Sequence, residues 1–153
     1  MSKIFLMALT TLTLSFANAH SMDRGSGHGG HHDHDQNPIT YDPSCPIHFA
    51  HQNICADIHF LQAPKVGRSS DFHVVFYSLN ADGSKTTVRA ENVMVDLWMN
   101  MGSHGHGAPP LTHHQHSEST WLLTDVYFVM AGKWQIRVHL NGEPGILEIL
   151  AQP

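Results

Sequence analysis

The residues with the clearest capacity for chemistry lie in one stretch. Met99-Asn100-Met101-Gly102-Ser103-His104-Gly105-His106-Gly107 is followed by Ala108-Pro109-Pro110 and then His113-His114-Gln115-His116, placing two thioethers and five imidazoles within 18 positions. Thioether sulfur suits Cu(I), and imidazole suits Cu(II), zinc and nickel, so a mixed Met/His segment points to copper before any hard cation. Met101, His104 and His106 are the expected heart of the site. Met99 and one of His113, His114 or His116 would complete it. Gly102, Gly105 and Gly107 leave the backbone free to turn the ligands inward. A plainer reading stands beside this one: Met99 and Met101 continue the apolar face of Val93, Val95 and Leu97, which would make them core side chains. His113, His114 and His116 could simply solvate a loop.

The whole chain carries 15 histidines in 153 residues, and neutral imidazole is the commonest metal-ligating side chain. Five of them, His20, His28, His31, His32 and His34, fall between residues 20 and 43 with Gly, Ser, Asp, Asn and Pro and almost no large apolar side chain. Such a composition cannot bury enough surface to order itself, so the stretch is expected to be a disordered tail acting as a secondary, weaker metal sink. His59, His73 and His139 sit in β-rich runs and read as ordinary face residues. The two cysteines, Cys45 and Cys55, read first as a disulfide, with a Cys₂His₂ zinc set using His48 and His51 as the alternative.

Residues 1–19 have the form of a secretory signal peptide: basic Lys3, an apolar stretch from Ile4 to Phe16, and Ala17-Asn18-Ala19 as the cleavage signal. Cleavage would leave 134 residues (153 minus 19), with 7 Lys and Arg against 13 Asp and Glu and a net charge of −6. The expectation is a periplasmic or secreted protein with no membrane anchor, and the acidic balance argues against nucleic acid as a partner. No G-x-S-x-G, H-E-x-x-H or phosphate-binding glycine loop is present to support catalysis. One enzymatic reading survives as a minor alternative, a copper oxidase or oxygenase in which His20, as the new N-terminus, forms a histidine brace. A brace needs its terminal histidine packed on the domain, and the tail stands between.

The elements that must position the ligands are short β runs separated by turn residues: Ile54 to Leu61, Phe72 to Leu79, Val93 to Met99, Val126 to Met130, Trp134 to Leu140 and Ile146 to Leu150. Val93, Val95 and Leu97 alternate onto one face, as do Trp134, Ile136, Val138 and Leu140. No segment has a sustained helical period. The expected fold is therefore all-β, an antiparallel sandwich over residues 44–153.

Val93-Met94-Val95-Asp96-Leu97-Trp98-Met99 leading into Met101-Gly102-Ser103-His104-Gly105, and then Val129-Met130-Ala131-Gly132-Lys133-Trp134-Gln135-Ile136, resemble the YtkA-like and FixH-like domains over about Cys55 to Leu150. The resemblance implies an immunoglobulin-like sandwich and an association with copper handling at bacterial membranes. The cleavable leader departs from FixH, which keeps its anchor. The combined expectation is a periplasmic protein that binds copper as Cu(I) or Cu(II) for sequestration or delivery, with a periplasmic or membrane copper-handling protein as candidate partner. A zinc or nickel buffer using the same histidines is the alternative.

Overall fold

The computed structural model describes residues 42–153; the expected leader and all five tail histidines lie outside the described residues. Ten strands follow in order: β1 (Ile47–Phe49), β2 (Ile54–Phe60), β3 (Phe72–Leu79), β4 (Lys85–Thr87), β5 (Val93–Asn100), β6 (Gly105–Gly107), β7 (Thr112–Ser117), β8 (Thr120–Thr124), β9 (Gly132–Leu140) and β10 (Glu143–Ala151). No helix occurs among the described residues. The strands pair antiparallel in two sheets: one runs β1-β2-β3-β8-β7, with β4 also on β3, and the other runs β10-β9-β5-β6. Residues 42–153 form the all-β antiparallel sandwich that the alternation predicts.

The inward faces explain the pairing. Phe72, Val74 and Phe76 of β3, Val93, Val95, Leu97 and Met99 of β5, and Trp134, Ile136, Val138 and Leu140 of β9 are all buried in one core with Phe49, Leu123 and Phe128. Each strand contributes every second residue, the period of a sheet with one face dry. Asn141 and Gly142 both have positive φ (50° and 87°), the conformation a two-residue hairpin needs to match strand twist, so β9 turns directly into β10. Pro144 is tolerated because β10 is an edge strand. Gly145 lies against Ile47 and Phe49, where a Cβ would overlap the Ile47 side chain, so β10 and β1 close one side of the sandwich.

Cys45 and Cys55 form a disulfide. Closing so short a loop stabilises the fold by about 2–3 kcal/mol in the chain-entropy account. It also removes the thiolates that a Cys₂His₂ zinc set would require, which overturns that alternative.

Three local expectations are corrected. Val126 to Met130 is not a strand: Asp125 turns the chain with φ of 60°, and beyond it only Phe128 makes a β-bridge, to Val66. Val126 and Phe128 are buried with Tyr127 and Val129 exposed, so the alternation is real but has no partner strand to pair with. The stretch from Gly102 to Pro110, which falls between the expected strands, contains β6, paired to the end of β5. His113, His114 and His116 lie on a strand, β7, and not in a loop.

Candidate metal centre

The β5–β6 hairpin sets the geometry. Met99 stands opposite His106, and Asn100 opposite Gly105. Beyond them the Met101 amide donates to the His104 carbonyl at 2.9 Å, so the ladder continues to the turn, where Gly102 takes φ of 83° and its amide donates to Asn100 Oδ1 at 2.9 Å. Residues opposite one another in an antiparallel pair project to the same side, and so do residues two apart. Met99, Met101, His104 and His106 therefore share one face of the hairpin. Met99 is buried at the end of the core, Met101 is 45 % exposed, and both imidazoles are exposed.

The two rings are neighbours at the tip of the hairpin. His104 and His106 have centroids 5.4 Å apart and meet nearly edge to face. Two imidazoles bound to one tetrahedral ion, with metal–nitrogen bonds of about 2.0–2.1 Å, have centroids roughly 5 to 5.5 Å apart. Met99 brings its thioether up against Gly132, where a Cβ would stand 3.1 Å from the Met99 methyl. Gly132 thus gives the thioether room at the mouth of the core.

On the opposite side of the hairpin a clamp holds β6 in place. Trp98 lies over Gly105 so closely that a Cβ there would overlap the indole. The Arg137 guanidinium sits 4.9 Å from the Trp98 ring and is itself held by Asp96, with Nε to Oδ1 at 2.6 Å. Asp96 and Arg137 face each other directly across β5 and β9. Asp96, Arg137, Trp98 and Gly105 thus form a chain of contacts from the middle of the sheet to the hairpin. None of the first three was a candidate from the sequence, although Asp96 and Trp98 alternate with the core residues of β5, and that alternation is the signal that could have found them. A shallow cleft of about 300 Å³ lined by Asn100, Gly102, Lys133, Trp134, Gln135 and Glu148 lies beside the turn, with Asn100 and Gln135 on this outer side, so it does not belong to the Met/His face.

The second half of the candidate segment goes elsewhere. Beyond its pairing with β6, β5 has an open edge, and His113 covers it from the other sheet: its Nε2 lies 3.0 Å from the Val95 amide nitrogen and 3.2 Å from the Val95 carbonyl oxygen. One ring nitrogen serves one role at a time. Accepting from the amide, with the ring proton on Nδ1, leaves no buried donor unpaired, and an amide is the costlier group to orphan. Val95 is four residues from Met99 along β5, roughly 13 Å of strand. His113 therefore ties the two sheets together at a distance from the hairpin pair. His114 and His116 are exposed on β7, where His114 stands opposite Leu122 and the His116 ring lies 5.4 Å from that of His73. Of the seven candidate ligands, four share one surface and three do not join them. Among the described residues, no three His, Cys, Asp or Glu side chains already converge on one point.

Residues 50–139 match the family model described as YtkA-like. The chain belongs to the YtkA-like family. That match runs from the β1–β2 turn into β9 and so contains the β5–β6 hairpin, the Trp98 clamp and β7. No curated protein matches the chain.

Proposed function

We propose that this YtkA-like protein is an exported copper-binding protein that sequesters or delivers copper, using the Met/His face of the β5–β6 hairpin. The observation that carries the reading is the shared face itself: two thioethers and a pair of imidazoles 5.4 Å apart project from one short hairpin braced from behind. Thioethers favour Cu(I) and imidazoles Cu(II), so the set holds the ion in either oxidation state. The disulfide fits an oxidising compartment outside the cytoplasm. Among the described residues, no helix is long and apolar enough to cross a membrane. A periplasmic or membrane copper-handling protein is the natural partner for delivery, and the half-exposed Met101 is where a transferred ion would be reached.

Competition titrations with Cu(I) and Cu(II) test the reading. His104→Ala with His106→Ala removes tight Cu(II) binding and weakens Cu(I); Met99→Leu with Met101→Leu does the reverse, at less than about 1.5 kcal/mol of stability for the volume-conserving change at Met99. Because a proton competes with the metal for each imidazole nitrogen, affinity falls as the solution is acidified, while the thioether contribution persists. If both double variants bind both ions as the parent does, the hairpin is not the site. Tight zinc or nickel binding that ignores the Met substitutions would favour a divalent-metal buffer.

A further inference from the structure

Four histidines outside the hairpin site gather on the outer face of the six-stranded sheet. His59 of β2 stands directly opposite His73 of β3, and continuing across the sheet His73 is opposite Leu122 of β8, which is opposite His114 of β7. Residues in such a row share one side of the sheet, and this side faces solvent because Phe72 and Val74, which alternate with His73, are buried. On its own the row would be an ordinary polar face.

The β7 irregularity changes that. The ladder between β7 and β8 slips between Gln115 and Ser117, leaving His116 as the extra, unpaired residue. A bulge of this kind re-aims the side chain it carries. Here it sends His116 back across β8 until its ring is 5.4 Å from that of His73, two strands away. That is the centroid separation of two imidazoles on one tetrahedral ion, roughly 5 to 5.5 Å. His59 stands opposite His73 across the β2–β3 pair, on the side away from His116. Asp57, on the same side of β2, approaches His59 Nε2 at 3.7 Å and Lys85 Nζ at 3.5 Å.

We infer that His73 and His116 form a second, imidazole-only site for borderline divalent ions such as Zn²⁺, Ni²⁺ or Cu²⁺, with water completing the coordination. The donor set holds no sulfur, so its preference differs from that of the Met/His hairpin. The site belongs to the other sheet and does not depend on the hairpin reading.

The experiment follows individual imidazoles. Ring ¹H–¹⁵N correlation spectra of the full chain are recorded during titration with Zn²⁺, for the parent, for His116→Ala and for His104→Ala/His106→Ala. His73 and His116 are expected to shift together with one saturation curve, and the His73 response to be lost in His116→Ala, whose substituted side chain is exposed and outside the core. In His104→Ala/His106→Ala both responses are expected to persist, so failure of the hairpin reading and failure of this one give different spectra. The inference is overturned if the His73 and His116 rings stay unshifted while other histidines saturate, or if His73 responds unchanged in His116→Ala.

Discussion

Replacing His113 with alanine should destabilise the metal-free protein and leave the proposed copper binding at the hairpin intact. The Nε2 atom of His113 is the hydrogen-bond partner of the Val95 amide on the open edge of β5, at 3.0 Å, and Val95 is only 6 % exposed. Truncation to alanine leaves that amide without its acceptor in a place water reaches poorly, which costs about 1–3 kcal/mol. For a domain of this size each kcal/mol moves the melting temperature by roughly 4 °C, so the expected fall is roughly 4 to 12 °C. The assay is thermal unfolding of the chelator-treated protein followed by near-ultraviolet circular dichroism, with His114→Ala, an exposed neighbour on the same strand, as control. His114→Ala should melt with the parent. Copper titration of His113→Ala at a temperature well below its midpoint should give the parental stoichiometry. A variant that melts like the parent yet loses its tightest copper ion would refute the reasoning and return His113 to the ligand set.

Two further outcomes follow from the same geometry. Gly105→Ala forces the Trp98 indole off the hairpin; overpacking of this sort costs about 1–3 kcal/mol. Copper affinity at the proposed site should fall with it, although none of the proposed ligands has been touched, and parental affinity and stability would show that the clamp does not hold the hairpin. Glu143 is pushed up by burial, but the His51 amide, the Gln52 side chain and the charge on His51 outweigh that and hold its carboxyl below the ordinary glutamate range. A carboxylate depressed in the folded state adds stability above its unfolded pKa, about 4.3, and loses it as the pH falls through the lower folded value. Glu143→Gln should therefore flatten the acid limb of a stability profile recorded below about pH 4.3, and an unchanged limb would contradict the assignment.

The strands that could be read from the chain are those with one dry face. β2, β3, β5, β9 and β10 carry apolar residues at every second position, or a plain β-rich run, and the expected spans meet the observed ones within a few residues. β7 escaped because its residues, THHQHS, are exposed at five of six positions and so carry no alternation to detect. β6 is three residues with glycine at both ends, and only its pairing with β5 makes it a strand. The candidate site divided for the same reason. Closeness along the chain placed His113, His114 and His116 beside the Met/His loop, but the chain crosses to the other sheet at β7, and the side on which a histidine falls is set by register, which spacing does not encode. The disulfide was legible from the cysteine count and the expected compartment.

The contact between β1 and β10 bears on the order of events by which the protein comes into being. Gly145 seats Ile47 and Phe49, nearly a hundred residues earlier in the chain, so the first and last strands among the described residues are neighbours. Contacts of such long sequence separation form slowly because loop closure must precede them. While the C-terminal strand is still being synthesised, the buried face of β1 has no cover and the sandwich stays open on one side. The domain therefore gains this contact only once residues 143–151 have been made.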